Sequence, residues 1–259
     1  MAYRKEQLKK DLRVLGVCPG DAVMIHFSYK ALGEVEEGAA GIFEAILSAL
    51  GEEGTLLVPA FSWDSVNYEN PVFDRDKTPS CVGFLPEYFR THVNGYIRSM
   101  HATHSVCVLG KRAAELASNH EKDVTPVGKN SPIMKLAEIG GKILMLGCSP
   151  DHLTIMHGVE ETAEPPYLFD REKPIEYILR NGEDEMHQTA LRHSFEKDGF
   201  RYGQVYSRIL DLLAQDEYSH GRVLEADSYL FSASAILEKG HKKLLEDPFY
   251  FVNKTKIQM

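Results

Sequence analysis

Residues 141–161, GKILMLGCSPDHLTIMHGVEE, join a short apolar run to a polar segment with regular spacing. The apolar run is bounded by glycines and predicts a buried strand. Ser149-Pro150 then favours the start of a helix, because a serine side chain accepts hydrogen bonds from free N–H groups and proline tolerates the first turn. The stretch therefore predicts a strand that ends where a helix begins, which is the edge of an α/β sheet where ligands usually bind.

Polar residues recur at every third position of this predicted helix, namely Asp151, Thr154, His157 and Glu160. Residues three apart on a helix are neighbours, so we expect these side chains to line one wall together. An alternative needs no ligand: the aspartate stabilises the helix dipole, the threonine packs at the core edge, and the histidine and glutamate form a solvated pair. The spacing alone leaves both interpretations open.

Strand and helix patterns alternate on the amino-terminal side of this stretch. DAVMIHF, GTLLVPAF and HSVCVLG are typical of strands, whereas residues 4–14, GAAGIFEAILSALG, VGFLPEYFRTH and KRAAELASNH have helical spacing. This alternation predicts an α/β fold, a three-layer α/β/α sandwich with a mixed, largely parallel central sheet.

The pattern changes after Pro165-Pro166. IEYILRNGEDEMHQTAL places Asn181-Gly182 between two alternating runs and predicts an antiparallel hairpin. YGQVYSRILDLLAQ and SASAILEKGHKKLLED predict two further helices, with RVLEADSY as a short strand between them. Since no repeat or linker interrupts the chain, we predict a single domain over residues 1–259.

Composition and charge exclude several classes of protein. The 259 residues contain 43% hydrophobic residues but no apolar run that would span a bilayer, and the first residues lack the apolar core of a secretory signal, so we expect a cytoplasmic protein without a membrane partner. A formal charge of −9 provides no basic surface for nucleic acid. The four cysteines are scattered without a CxxC pair, which predicts reduced thiols.

Taken in order, the motifs resemble the aminoglycoside 3-N-acetyltransferase family, antibiotic N-acetyltransferases that are unrelated in fold to the GNAT enzymes. The matching stretches are HFSYKALGEVEEGA, GTLLVPAFSW, FDRDKTPSCVGFLPEYFR, RSMHATHSVCVLG, GKNSPIMKLAEIGGKILMLG, LTIMHGVEE, GRVLEADSYLFSASAILEKG and LLEDPFYF. They cover nearly the whole chain. The resemblance implies an antibiotic-resistance type of acyltransferase that moves acetyl from acetyl-CoA to an amine, usually the 3-amino group of a 2-deoxystreptamine aminoglycoside.

An ammonium is no nucleophile, so such an enzyme accepts a proton from the amine, a task that suits histidine. His157 matches the histidine of the family's T-x-x-H-x-x-E motif and is the candidate general base. Glu160 and Asp151 are the candidate carboxylates that orient its ring and stabilise the imidazolium, and spacing leaves open which one does so. Thr154, Glu160 and Glu161 are the predicted contacts of the amine.

Three motifs supply the predicted acetyl-CoA site, and the resemblance assigns to it His26, Ser28, Lys30, Thr78, Ser80, Gly83, Arg98, His104 and Ser105. The stretch after the first strand contacts the pantetheine arm in the family, so its serine and nearby N–H groups are candidates for the developing oxyanion. Structural alternatives stay open: a plain helix cap at Ser80, and backbone or carboxylate partners for Arg98 and His104.

Several other functions remain open. Phe27 and Ala102 stand where the family often has serine and proline, which leaves acylation of a different, biosynthetic amine as an alternative. A metal-dependent hydrolase would use His152, His157 and Glu160, but the two histidines are five apart rather than four, so we expect no metal.

Two rivals need no metal. Cys148 lies between a predicted strand and a helix, where a thiol is a candidate nucleophile for a cysteine hydrolase or ping-pong acyltransferase. A non-catalytic protein that binds an amine is the other rival. The expected partners are a small-molecule amine and acetyl-CoA, with a homodimer as the assembly that the resemblance allows.

Overall fold

The computed structural model describes residues 2–257. The α-helices of this range are α1 (Lys5–Leu15), α2 (Gly38–Leu50), α3 (Phe84–His92), α4 (Ala113–Ala117), α5 (Pro132–Glu138), α6 (Ile155–Ala163) and α7 (Ala233–Glu246). Short 3₁₀ turns lie at Tyr29–Leu32, His120–Lys122, Pro150–His152 and Tyr206–Asp211.

The strands of the same range form three sheets. They are β1 (Ala22–Phe27), β2 (Thr55–Pro59), β3 (Val72–Asp74), β4 (Ile97–Arg98), β5 (Val106–Gly110), β6 (Lys142–Leu146), β7 (Ile175–Asn181), β8 (Asp184–Ala190), β9 (Glu196–Lys197), β10 (Phe200–Gln204), β11 (Tyr218–Val223), β12 (Ala226–Ser232) and β13 (Val252–Lys256).

The central sheet has the strand order β11-β12-β6-β1-β2-β5-β4. β1 runs parallel to β2 and to β6, whereas the outer strands on both sides run antiparallel to their neighbours. The α/β class and the mixed sheet are confirmed, although the parallel part is limited to three central strands. Two hairpins, β4–β5 and β11–β12, supply the outer strands, and the inner strand of each, β5 or β12, pairs antiparallel with the neighbouring central strand.

Helices cover both faces of this sheet, so the three layers are as predicted. Successive residues of a strand point to opposite faces, and β1 illustrates this. Val23 and Ile25 pack into a core with α1, α2 and α3, whereas Met24 packs into a second core with α4 to α7. Each core buries its apolar side chains completely between one helical layer and the sheet.

The Asn181-Gly182 hairpin forms as predicted. β7 and β8 pair from Ile175↔Ala190 to Asn181↔Asp184, and Gly182 has φ 64°, a backbone conformation that glycine adopts without strain. The hairpin does not extend the central sheet but forms a separate sheet in the order β3-β7-β8. A third sheet, β13-β10-β9, lies in the carboxyl-terminal part of the described range.

Two sequence predictions near the carboxyl-terminal part are wrong. YGQVYSRILDLLAQ forms β10 and a 3₁₀ turn rather than an α-helix, because residues 200–204 pair with β13 and only Tyr206 and Ile209, three apart, are buried in the turn. RVLEADSY is the bend of the β11–β12 hairpin rather than one strand, and Leu224 has φ 53° there.

Between residues 2 and 257, every helix falls short of the length and apolarity needed to cross a bilayer.

Candidate functional site

The carboxyl ends of β1, β2 and β6 open into one cavity of about 960 Å³. Its floor includes Ser28 after β1, Phe61 after β2, and Gly147 after β6. Gly147 has φ 75°, and a Cβ added there would lie 2.6 Å from the Cβ of Ala31. Glycine therefore lets the chain turn away from β6 and leave space for the cavity.

His157 faces this cavity from the first turns of α6. Its Nδ1 atom lies 3.3 Å from Glu160 Oε2 and 3.0 Å from the Tyr206 hydroxyl oxygen. The Tyr206 hydroxyl donates to Glu160 Oε2 at 2.7 Å, so its oxygen presents a lone pair toward the ring. Both neighbours of Nδ1 are therefore acceptors, which places the ring hydrogen on Nδ1 and leaves the Nε2 lone pair free.

Glu160 is fully buried beneath the histidine and does not line the cavity. The Tyr167 hydroxyl donates to its Oε1 at 2.9 Å, which supplements the bond from Tyr206 to Oε2. Burial and the adjacent carboxylate raise the pKa of both tyrosines, so both keep their hydrogens as donors. The structure thus gives Glu160 an orienting position behind His157 rather than the predicted contact with an amine.

Asp151 does not lie on α6, because the predicted helix is broken. Ser149 caps the 3₁₀ turn Pro150–His152, Leu153 is extended, and α6 begins at Ile155. Asp151 Oδ1 accepts the N–H of Ser207 at 2.8 Å, and its Oδ2 accepts the Ser149 hydroxyl. The single wall of four polar residues therefore does not form, and Glu160, not Asp151, is the carboxylate bonded to His157.

Glu161 points away from Glu160 and bonds to a different histidine. Its Oε1 atom lies 2.7 Å from His193 Nε2 and accepts the N–H of Val127 at 2.8 Å. Burial raises the pKa of this carboxyl to about 7. Glu161 does not line the cavity, whereas Thr154, the remaining predicted contact of the amine, does.

His104 enters the cavity from the loop between β4 and β5. The HATH turn is held by His101 Nδ1, which accepts the N–H groups of Thr103 and His104. The Thr103 hydroxyl then bonds to His104 Nδ1 at 2.9 Å. Burial lowers the pKa of His104 well below its ordinary value, so its ring is neutral at pH 7.

Two other predicted acetyl-CoA residues, His26 and Ser28, also line the cavity. His26 Nε2 is buried without a hydrogen-bond partner among residues 2–257, and burial lowers the pKa of His26 to about 4. The Ser28 N–H donates to the Leu146 carbonyl at 2.8 Å, so it is not available to an oxyanion, whereas the Ser28 hydroxyl remains available.

The remaining predicted acetyl-CoA residues do not line the cavity: Lys30, Thr78, Ser80, Gly83, Arg98 and Ser105. Lys30 is exposed, Gly83 precedes α3, and the Ser80 N–H donates to Glu87. Polar residues before a helix or strand were predicted to turn toward a ligand. In the structure the side chains of Thr78, Arg98 and Ser105 bond to nearby protein groups, whereas the Ser80 hydroxyl is buried without a hydrogen-bond partner among residues 2–257.

Arg98 has the most protein contacts of this group. The residue is 4% exposed, and its guanidinium donates to the carbonyls of Ala60 and Thr78 and to the Ser105 hydroxyl. It also lies over the Phe73 ring, 4.8 Å from the centroid. These contacts join the central sheet to the β3 region and match the structural alternative, and a contact of Arg98 with acetyl-CoA stays a prediction.

The comparisons with known proteins agree with this fold. The model of the aminoglycoside 3-N-acetyltransferase family matches residues 24–245. The chain belongs to the aminoglycoside 3-N-acetyltransferase family. The predicted resemblance, and with it the prediction of an acetyltransferase-like enzyme, is confirmed at the level of this family.

Individual members of the family match over most of their length. Aminoglycoside N(3)-acetyltransferase IX of Micromonospora chalcea is 33% identical, with 90% of each chain covered. Aminoglycoside N(3)-acetyltransferase III of Serratia marcescens is 31% identical, covering 91% of this chain and 94% of its own. The structure is similar to that of AAC-IIIb in a binary complex with CoASH, with a TM-score of 0.82, 27% identity, and 95% and 97% of the two chains covered. Sisomicin-bound AAC-VIa has a TM-score of 0.80 at 28% identity, with 95% and 99% covered.

Within this member of the aminoglycoside 3-N-acetyltransferase family, the sequence analysis missed Tyr206, Tyr167 and His193. Tyr206 was part of a predicted helix, and His193 follows the hairpin in a segment without a clear pattern. Because these residues are distant from His157 along the chain, no local sequence pattern indicates that they lie beside it in the fold. The excess of aromatic residues and histidine between residues 193 and 206 was the one available indication.

Proposed function

We propose that this chain is an acetyl-CoA-dependent N-acetyltransferase whose general base is His157, with the 3-amino group of 2-deoxystreptamine aminoglycosides as the first acceptor to test. The observation that carries the proposal is the hydrogen bonding of His157. Glu160 and Tyr206 hold the hydrogen on Nδ1, so Nε2 is free to accept a proton in the cavity. The relatives that bear aminoglycoside names support the choice of acceptor.

Proton transfer then follows from the geometry. The amine nitrogen loses a proton to His157 Nε2 as it attacks the acetyl carbonyl, and the C–S bond of the thioester breaks to release the CoA thiolate. The imidazolium is stabilised by the buried carboxylate at 3.3 Å from Nδ1. It returns the proton to the thiolate, so the histidine ends each cycle neutral.

Acetyl-CoA supplies the activated acetyl group when it is bound. The residues of the cavity fit such a donor, because His26 Nε2 is a buried polar atom without a protein partner and Ser28 provides a hydroxyl beside it. The similar structure of AAC-IIIb contains CoASH. We propose that His26, Ser28 and His104 contact the acyl donor.

One observation favours the alternative acceptor, an amine other than an aminoglycoside. Among residues 2–257, the cavity lining includes one carboxylate, Asp151, and one guanidinium, Arg192. A polycation is recognised best where several carboxylates converge. An amine with fewer positive charges therefore fits this lining better than a fully protonated aminoglycoside.

The experiment that tests the function compares these acceptors directly. Purified protein is mixed with acetyl-CoA and either 2-deoxystreptamine antibiotics or monoamines with and without a carboxylate. We expect thiol release together with a mass increase of one acetyl group on the amine. Thiol release without an acetylated amine would contradict N-acetyl transfer and favour a hydrolase.

Cys148 is expected to be dispensable for this activity. It lines the cavity, but burial raises the pKa of its thiol to about 12, so almost no thiolate is present at neutral pH. We predict that Cys148→Ala keeps kcat within about twofold of the unmodified protein, since transfer is direct. An acetylated Cys148 peptide in a quenched reaction would contradict direct transfer.

The predicted homodimer and the single domain over residues 1–259 remain predictions. Light scattering after size-exclusion chromatography measures whether the protein is a dimer. A single cooperative unfolding transition is expected if the chain is one domain.

A further inference from the structure

We propose that His104, His157 and His193 form a site for a divalent transition metal, for which Zn²⁺ is the best fit. The three residues come from different parts of the fold: the β4–β5 loop, α6, and the segment after β8. All three line the cavity, and one nitrogen of each ring lies within 4.8 Å of one nitrogen of each of the others. This group differs from the predicted set of His152, His157 and Glu160.

The hydrogen bonding of the rings supports ligation. Each ring has one nitrogen bonded to a protein group: His104 Nδ1 to Thr103, His157 Nδ1 to Glu160 and Tyr206, and His193 Nε2 to Glu161. The other nitrogen of each ring takes no hydrogen bond from residues 2–257. A metal ligand needs this arrangement, in which one nitrogen is free and the other is fixed.

The partners behind two of the rings are carboxylates. Histidine ligands of zinc usually donate their second N–H to a carboxylate or carbonyl, which orients the ring and raises its basicity. Here the consecutive residues Glu160 and Glu161 serve two different histidines, at 3.3 Å and 2.7 Å. A purely structural pair of adjacent histidines has no need of a separate buried carboxylate for each ring.

The rings are close to the spacing that zinc requires. With Zn–N bonds of about 2.0–2.1 Å in a tetrahedron, ligand nitrogens are separated by about 3.3 Å, so each must move inward by less than about 1 Å. The His157 and His193 centroids are already 4.6 Å apart, and each lies about 6 Å from the His104 centroid. Small ring rotations suffice, and because all three rings line the cavity, a fourth ligand can enter from it.

The test is a titration of EDTA-treated, dialysed protein with Zn²⁺, followed by calorimetry, and with Co²⁺, followed by its visible spectrum. We expect one metal ion per chain and the intense visible bands of tetrahedral Co²⁺. His104→Ala and His193→Ala are each expected to weaken Zn²⁺ binding by at least about 100-fold. Glu161→Gln is expected to weaken it by about 10–100-fold, the usual effect of losing a partner behind a ligand.

His152→Ala is the matched control, because His152 lines the same cavity outside the group of three. We expect it to leave the affinity within about twofold. Cys148→Ser is a second control, for the thiol that lines the same cavity, and we expect it too to leave the Zn²⁺ affinity within about twofold. Thermal unfolding checks that each variant is folded. If His193→Ala is not folded, His193→Gln takes its place in the titration. Absence of stoichiometric binding, or loss of binding in the two controls but not in the histidine variants, would overturn the proposal.

A consequence for catalysis rests on the proposed function. Zn²⁺ would take the His157 nitrogen that accepts the amine proton, so metal binding and acetyl transfer would exclude each other. We expect Zn²⁺ to inhibit formation of the acetylated product and EDTA to restore it. His193→Ala is expected to raise the Zn²⁺ concentration needed for inhibition by the same factor as it raises the dissociation constant of the Zn²⁺ complex. Zinc binding without acetyl transfer would contradict only the function, and acetyl transfer without zinc binding would overturn only the metal site.

Discussion

Replacing His157 with alanine is expected to lower kcat for acetyl transfer by about 10²–10⁴-fold, the usual contribution of a positioned general base. The loss is expected in kcat rather than in KM for acetyl-CoA, because the proton moves only as the amine attacks. Steady-state kinetics at saturating concentrations of both substrates measure this effect.

The control for this variant is His220→Ala. His220 is exposed and pairs with Asp227 on the β11–β12 hairpin, so its loss removes a histidine without touching the cavity. We expect its kcat to stay within about twofold. A His157→Ala variant that is folded and retains nearly all activity would exclude His157 as the base.

Replacing Glu160 with glutamine is expected to lower kcat, but by less than the loss measured in His157→Ala. Glutamine keeps the shape of the side chain and an oxygen acceptor for Tyr167. If its amide nitrogen replaces Oε2, it donates a hydrogen toward His157 Nδ1, and the ring hydrogen shifts to Nε2. The wrong tautomer then faces the amine, which is the known cost of amidating the carboxylate behind a catalytic histidine.

Glu161→Gln is the matched comparison, because it makes the same change one residue later on a carboxylate that bonds to His193 instead. We expect a smaller loss of kcat than in Glu160→Gln. Equal losses in Glu160→Gln and His157→Ala would mean that the carboxylate takes part in the proton transfer itself. Equal losses in the two glutamine variants would mean that the tautomer of His157 is not the cause.

The sequence predicted the layers and the place of the site because those depend on local patterns. Periodicity located β1, β6 and the helices around them, and the carboxyl edge of the parallel strands followed. The break between Ser149 and Ile155 was not predicted, because proline is compatible with both a helix start and a 3₁₀ turn. One bend of the backbone therefore places Asp151 outside α6, although Asp151 still lines the same cavity as His157.

Roles that depend on distant partners were not predictable from local patterns. Arg98 looked like a ligand for acetyl-CoA, but its direction is set by the carbonyls of Ala60 and Thr78, which only the folded chain brings near. Likewise, Glu160 and Glu161 are adjacent in sequence but point in different directions on α6, since successive residues of a helix are about 100° apart. Both were predicted to contact the same amine.

The turn that carries Tyr206 depends on a late part of the chain. Arg208 donates to the carbonyls of Tyr250 and Val252, the Val205 N–H donates to Phe251, and β10 pairs with β13. During synthesis on the ribosome, His157 therefore emerges before residues 250–256. Until those residues emerge, the nascent chain lacks the contacts that hold the Tyr206 hydroxyl beside the His157 ring. Catalytic competence would then require residues 250–256 to have reached their place beside β10.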